Sequence, residues 1–468
     1  MLTGAPAAPG ALFPLPTKSR TAWDDLAVGL VSSRCKARGK PGEMKRHARW
    51  TVLLVSLLAL TRPVAAQPAT RDEPASAPAD APVSGNAPSA SGPDKQAPET
   101  SLPRESPVEN SLNRSGAITG VAIGGYGELT LNVPTNSPGV IDMRRFVLFF
   151  GHDFSDRIRF YSEVEVEHAI SSATDQGEVE IEQAYLDGLL TRRINLRGGI
   201  ILMPVGIINV YHEPPSFNGV DRPDVDTFVI PTTWREPGIG IFGELAEGLR
   251  YQAYLVNGFN ANGFTAESAI REGHQEAQLA HAGDVGGVLR LDYEPVLGTV
   301  FGASAYHGTS RNTLPASLGN VPLSLFEVDV RTRWGPFSAR AEAAVLLVGD
   351  AAALNQALAV ASPEQAAAGP VSSQSRGGYV EGAYDLLHLL APESSQALAA
   401  FARLDYADTQ ADVPAGFQSR LEFRRVSEVL GLVYRPIPQI GLKVDYRFRQ
   451  LGDGTSNREL ASAITWLF

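Results

Sequence analysis

The chain has 468 residues, 44% apolar and 19% charged, with a formal net charge of −11. That acidic balance excludes the basic surface a nucleic-acid partner needs, and no stretch of eighteen consecutive apolar residues is present to cross a membrane as a helix. The single cysteine, Cys35, excludes an internal disulfide framework.

Residues 1–43 precede a second methionine and read as an upstream extension of the frame. Met44 opens the basic segment Met-Lys-Arg-His-Ala-Arg, followed by the eleven-residue run Trp50–Leu60. The run is too short to span a bilayer and suits the core of a signal peptide, with small residues at Val64-Ala65-Ala66 for cleavage after Ala66. Residues 44–66 are therefore predicted to direct export. Residues 67–115 are Pro, Ala and Ser with scattered charges and no Phe, Tyr or Trp. Such a composition cannot bury enough apolar area to offset ordering entropy, so a disordered linker is expected.

Residues 116–468 alternate in hydrophobicity and divide into sixteen candidate strands, about 22 residues per strand plus connection. In 157–168, Ile158, Phe160, Val164 and Val166 oppose Arg157, Arg159, Tyr161, Glu163, Glu165 and Glu167. In 325–334, Phe326, Val328, Val330, Thr332 and Trp334 oppose Leu325, Glu327, Asp329, Arg331 and Arg333. In 440–449, Ile440, Leu442, Val444, Tyr446 and Phe448 oppose Gly441, Lys443, Asp445, Arg447 and Arg449. The last ten residues place Leu460, Ser462, Ile464, Trp466 and Phe468 on one face, an apolar stripe ending in two aromatics. That is the signature of a lipid-facing strand that stops at an interfacial girdle.

Connections alternate in length. Short ones fall at 154–156, 191–193, 247–248, 294–298, 335–336 and 436–438, with a longer one of the same set at 388–395. Long ones fall at 203–237, 258–283, 308–321, 349–374, 408–421 and 450–458. Short periplasmic turns alternating with long external loops, on an even strand count, predict an all-β transmembrane antiparallel barrel over residues 116–468. The bacterial outer membrane is the expected location, and its lipid the expected surroundings. Without cysteine, closure of the barrel would stabilise the exported chain.

Charges on the inward positions are segregated along the chain. Acids cluster early, at Glu163, Glu165, Glu167, Glu178, Glu180 and Glu182. Bases cluster late, at Arg290, Arg331, Arg333, Arg340, Arg403, Lys443, Arg447 and Arg449. Strands distant in sequence lie on opposite sides of a closed barrel, so the two groups either face each other across the lumen and set a transverse field or are neighbouring-strand ion pairs. Residues 116–468 hold 25 Arg and one Lys against 41 acids, a net charge of −15.

The loop 203–237 is apolar and stiffened by prolines, unlike a free surface loop, and is expected to fold into the lumen and narrow it. Its Asp221, Arg222, Asp224, Asp226, Arg235 and Glu236 are the candidates for the constriction. The alternative is an external lid or subunit latch.

Residues 144–243 resemble the phosphate-selective porin O/P family. The resemblance rests on Arg144-Arg-Phe146, Glu182-Gln-Ala-Tyr185, Glu213-Pro-Pro-Ser-Phe-Asn-Gly-Val-Asp-Arg-Pro223, Ile230-Pro-Thr-Thr-Trp234 and Gly238-Ile-Gly-Ile-Phe-Gly243. It implies a sixteen-stranded porin that is usually a homotrimer. The family's phosphate-selective members use an arginine ladder with lysines at the constriction, whereas this barrel contains one lysine, Lys443.

The function predicted is a water-filled channel for passive diffusion of small polar or charged solutes, including anions such as phosphate. A structural or adhesive barrel is the alternative. No His-Glu-x-x-His, Gly-x-Ser-x-Gly or phosphate-cradling glycine loop occurs, so neither enzymatic activity nor a metal or cofactor is predicted. His152 and His168 read as ordinary interfacial histidines.

Overall fold

The structure, a computed structural model, describes residues 121–468 apart from 173, 311–313 and 316–317. The predicted extension, signal peptide and linker lie outside the described residues. Those described form sixteen strands, each hydrogen-bonded antiparallel to its sequence neighbours, with the first paired to the last. The first four are β1 (Val121–Pro134), β2 (Val140–Ser155), β3 (Ile158–Glu167) and β4 (Val179–Leu189). The second four are β5 (Asn195–Leu202), β6 (Arg235–Ala246), β7 (Leu249–Asn257) and β8 (Val285–Val296). The third four are β9 (Thr299–Thr309), β10 (Pro322–Trp334), β11 (Phe337–Val348) and β12 (Gln374–Asp385). The last four are β13 (Ala397–Asp412), β14 (Arg424–Ile437), β15 (Ile440–Leu451) and β16 (Ser456–Leu467).

Closure is completed by the last residue. The Phe468 amide donates to the Gly125 carbonyl at 2.8 Å, and the Gly125 amide donates to the Phe468 carbonyl at 2.9 Å. Every strand then has a partner on both edges, which is the condition for placing backbone in hydrocarbon. No described helix is long and apolar enough to cross a membrane.

Alternation sorts the side chains as their sequence does. Along β15, Leu442, Val444 and Tyr446 are exposed while Lys443, Asp445 and Arg447 are buried. Along β10, Phe326 and Val328 are exposed between buried Glu327, Asp329 and Arg331. Exposed Leu, Ile and Val on so many strands, among them Ile123, Ile239, Leu255, Val380 and Leu430, make an apolar outer belt over a charged interior. This inverts the water-soluble arrangement and fits lipid outside. Phe154, Tyr293, Trp334, Phe337 and Phe468 are exposed at the turn ends of their strands, forming the aromatic rim that sits at headgroup level.

The short turns stand where the sequence placed them. Two long connections are shorter than expected. β15 and β16 continue toward each other and leave only 452–455 between them, instead of a loop over 450–458. β13 runs on to Asp412, so the loop before β14 spans 413–423 rather than 408–421. In both places the alternation extends through polar residues, which an external strand end tolerates because water solvates its side chains. The 258–284 and 349–373 loops are not free surface loops. Phe259, Phe264 and Ile270 from the first, with Leu354 and Leu358 from helix α1 (Ala351–Ala361) of the second, join one buried apolar cluster with Val225, Ile230 and Trp234. Together they cap the outer end of the barrel.

Candidate functional site

The 203–234 loop lies in the lumen, as its composition predicted, and is bonded to both sides of the wall. Its neck is drawn together by Asn209, whose side-chain amide donates to the carbonyls of Met203 (2.8 Å) and Trp234 (2.9 Å) and accepts from the Trp234 amide (2.7 Å). Gly206 adopts φ +76°, where a side chain would be strained and its Cβ would lie 2.5 Å from Glu342 Oε1. Arg290 of β8 donates to the Gly206 carbonyl at 3.2 Å, and Glu342 of β11 accepts from the Ile207 amide at 3.1 Å.

The middle of the loop leans on β12–β15. Lys443 Nζ donates to the carbonyls of Pro214 (2.6 Å) and Gly219 (2.8 Å) and stands 4.1 Å over the Phe217 ring. The Val220 amide donates to Asp445 at 2.6 Å, and Asn218 donates to Glu381 at 3.0 Å. Arg403 reaches the carbonyls of Asp221 (3.3 Å) and Arg222 (3.5 Å). The Asp221 carboxylate pairs with Arg144 (2.9 Å) and Arg447 (3.0 Å), and Asp224 with Arg449 (2.6 Å).

The late basic face is therefore bound up rather than open. Arg290 pairs with Asp292 (2.9 Å) and Asp329 (2.6 Å), Arg340 with Glu381 (3.0 Å), and Arg403 with Asp405 (3.0 Å). Arg331 lies 3.6 Å from Asp292 and 4.5 Å from the centre of the Tyr211 ring. Arg333 is exposed at the turn end of β10. Arg290, Arg331, Arg340, Arg403, Lys443, Arg447 and Arg449 thus each have an acid, a carbonyl or a ring beside them, which favours ion pairs over two bare walls facing each other across the lumen.

The early acids divide. Glu163, Glu165 and Glu182 are buried, Glu167 is half-buried, and Glu180 pairs with Arg235 at 2.5 Å. Glu178 precedes β4 and is exposed at its external end, outside the predicted acidic face. A β-bulge against Glu163 and Val164 turns both Glu182 and Gln183 inward, a departure from alternation that sequence period alone does not reveal.

Of the six constriction candidates, Asp221, Arg222 and Asp224 are on the lumen loop and beside one cavity. Asp226, in the one-turn helix Val225–Phe228, is buried against the β11 side and lines no part of it. Arg235 and Glu236 are corrected to β6, where Arg235 pairs with Glu276 (3.1 Å) and Glu236 accepts from the Gln275 amide (3.1 Å). They hold the 258–284 loop instead of the eyelet.

That cavity, about 340 Å³, lies between the loop and β1, β2 and β15. Six arginines border it: Arg144, Arg145, Arg222, Arg271, Arg447 and Arg449. Its acids are Glu128, Asp221 and Asp224, so formal positive charge exceeds negative. Burial would push Asp221 up, but Arg447 and Arg144 outweigh it and hold the carboxyl below the usual carboxylate range. Asp224 is held low in the same way by Arg449 and Arg447. Both loop acids stay ionised as ties for the arginines. A larger cavity of about 890 Å³, polar and tyrosine-rich, lies toward the turns and is bordered by Tyr161, Tyr185, Arg197, Tyr251 and Glu294. Sequence reasoning passed over Arg144, Arg145 and Arg271. The paired Arg144-Arg145 was in view as a resemblance, but only the fold brings it opposite Arg447.

Neither histidine considered in the sequence joins this constellation. His168 pairs with Asp142 at 2.9 Å at the external rim, and His152 stacks edge-on against Phe154. The histidine that enters the lumen is His212.

No protein-family model matches the chain. It is 35% identical over 358 residues to an uncharacterized protein of Aquifex aeolicus (strain VF5), a match covering 75% of this chain and 80% of that one. Among solved structures it is similar to the outer membrane channel DcaP of Acinetobacter baumannii, with TM-score 0.50 and 14% identity, over 75% of this chain and 99% of that one. It is also similar to Salmonella typhi OmpF in complex with daunomycin, with TM-score 0.48 and 14% identity, over 74% of this chain and 97% of that one. Porin-type architecture and an apolar outer belt together make this a bacterial outer-membrane barrel.

Proposed function

We propose that this chain, which belongs to the same family as the Aquifex aeolicus protein, is an outer-membrane channel for passive diffusion of small polar solutes with a preference for anions such as phosphate. The observation that carries the reading is the arginine-bordered cavity between the loop and β1, β2 and β15. A phosphate oxygen accepts bidentate hydrogen bonds from guanidinium, and a narrow, low-dielectric passage amplifies a small excess of positive charge. No covalent chemistry is involved. The preference is set by size and field. The resemblance to phosphate-selective porins agrees with it, and we extend it to a homotrimeric assembly.

The test is the reversal potential of the purified protein in a planar bilayer under a KCl gradient, repeated with phosphate. Anion preference with a phosphate-dependent drop in current is expected. Cation preference would refute the anion reading while leaving the channel.

One observation favours a second reading. The loop is tied to wall strands on both sides of the lumen, which suits a barrel that is closed and serves as a structural or adhesive element. A protein that inserts but gives no stepwise current would replace the channel by that reading.

A further inference from the structure

Between the loop and β1–β4, four carboxylates, Glu128, Glu163, Glu165 and Glu182, are packed around Arg145, with Arg222 and Arg235 acting on Glu165 and Glu182 from farther off, and none of the four is more than 2% exposed. Arg145 Nε lies 3.2 Å from Glu128 and 3.7 Å from Glu165. The other two carboxylates converge with His212, and one donor atom from each of Glu163, Glu182 and His212 lies within 4.8 Å of the others. Four buried carboxylates outnumber the cations that touch them, and an uncompensated buried anion costs several kcal/mol, on the order seen for desolvated ions, so the surplus is met by a proton or by a bound cation.

The geometry at His212 specifies where that charge belongs. Its Nδ1 is 3.2 Å from the Asn209 carbonyl, which can only accept, so Nδ1 carries a proton. Nε2 then turns into the cluster, 2.9 Å from Tyr126 Oη and 3.5 Å from Glu182 Oε1. The Tyr126 hydroxyl donates to Glu182 Oε2 at 3.0 Å, and Gln183 donates to Glu163 Oε2 at 2.5 Å. With Glu182 ionised, the one proton of Tyr126 goes to Oε2, and Nε2 then presents a proton or a bound cation. Glu182 Oε1 is fully buried and accepts no hydrogen bond. Backbone-oriented imidazole, second oxygens held by Tyr and Gln, and a bare carboxylate oxygen aimed at Nε2 are the outer-shell pattern of a metal ligand set.

We propose that Glu163, Glu182 and His212 bind a divalent first-row transition cation, Zn²⁺ being the best match to one nitrogen and two carboxylate oxygens. Ligand atoms around tetrahedral zinc stand about 3.4 Å apart, so the three close in by rotation of the glutamate side chains. His212 comes from the lumen loop and the glutamates from β3 and β4. The ion is therefore a clasp between loop and wall, and this holds whether or not the barrel conducts.

The purified full chain, stripped with EDTA and dialysed, is titrated with ZnCl₂ by calorimetry and its zinc counted by elemental analysis. The expected result is one saturable equivalent that His212→Gln and Glu182→Gln each remove, or weaken at least about tenfold. Wild type without that equivalent, or either variant keeping wild-type affinity, overturns the proposal and leaves a protonated His212 as the counter-charge. Variants are first checked for the heat-dependent gel shift of a folded barrel. If they fail it, Co²⁺ added to wild type decides. Intense visible bands of a low-coordinate N/O site support the clasp, and the weak spectrum of hydrated Co²⁺ sinks it.

Discussion

Against β11–β15 the lumen loop is held by bases and acids alike, and against β1–β4 by Arg144 and a buried carboxylate cluster, and the two contacts work differently. On the late side, bases find backbone carbonyls and loop carboxylates. Lys443 alone engages two carbonyls, and Asp221 and Asp224 tie Arg447 and Arg449. On the early side, four buried acids surround Arg145 and His212, with Arg222 and Arg235 farther off. On the late side the loop's peptide groups serve both signs, its carbonyls Lys443 and Arg403 and its Ile207 and Val220 amides Glu342 and Asp445, whereas the surplus carboxylates of the early side need a proton or an ion. The contrast teaches that charge on a barrel's inner face does not report selectivity until the loop's backbone has been counted.

Breaking the late side has the largest expected effect. Lys443→Ala leaves the Pro214 and Gly219 carbonyls without their donor, and hydrogen bonds from a charged group contribute about 1.5–3 kcal/mol each. Denaturant unfolding is expected to show a loss of about 3 kcal/mol or more, with single-channel conductance raised as residues 214–219 come off the wall. Conductance equal to wild type would mean that the remaining ties hold the loop alone.

Next comes charge reversal at the eyelet. Arg447→Glu combined with Arg449→Glu is expected to move the reversal potential toward cations, because both guanidiniums border the cavity. An unmoved potential would place the ion path elsewhere.

A smaller effect is expected from pH. Burial, with Glu327 adding to it, pushes the loop's Asp226 up to about 8. An acid protonated in the fold and ionised when unfolded favours folding most below its unfolded pKa, and that advantage is lost as pH rises through the folded one. Stability should decline between about pH 4 and pH 8, and Asp226→Asn should flatten that decline in thermal melts. An unchanged slope would mean that Asp226 is not a source of it.

The smallest change serves as the reference. Glu178→Gln, at an exposed strand end, is expected to leave conductance and reversal potential as they were. A shift there would return Glu178 to the acidic face it was first assigned.

The wall was legible because period two is enforced by its surroundings. Leu442, Val444 and Tyr446 face out and Lys443, Asp445 and Arg447 face in with no exception that the sequence hides. The inward fold of the 203–234 loop was legible from the apolar residues it would otherwise leave in water. What these cations meet was not legible. A carbonyl is an acceptor at every residue, so nothing in the letters marks Pro214 and Gly219 as partners of Lys443. Glu182 and Gln183 both turning inward needed the bulge, and His212 gained its meaning only when the loop set it beside strands that precede it. Arg235 and Glu236 were misplaced because β6 begins two residues before the end assigned to the loop.

The neck made by Asn209 and the many ties beyond it have a consequence for how this barrel can be altered. External barrel loops are commonly exchanged between scaffolds, since they rest on the rim and bring their own contacts. Residues 203–234 are not portable in that sense. Moved to another barrel, they would arrive with carbonyls spaced for Lys443 and Arg403 and carboxylates spaced for Arg144, Arg447 and Arg449. A grafted loop here would have to travel with side chains from at least β2, β13 and β15, so the smallest exchangeable unit is a loop together with the strands that receive it.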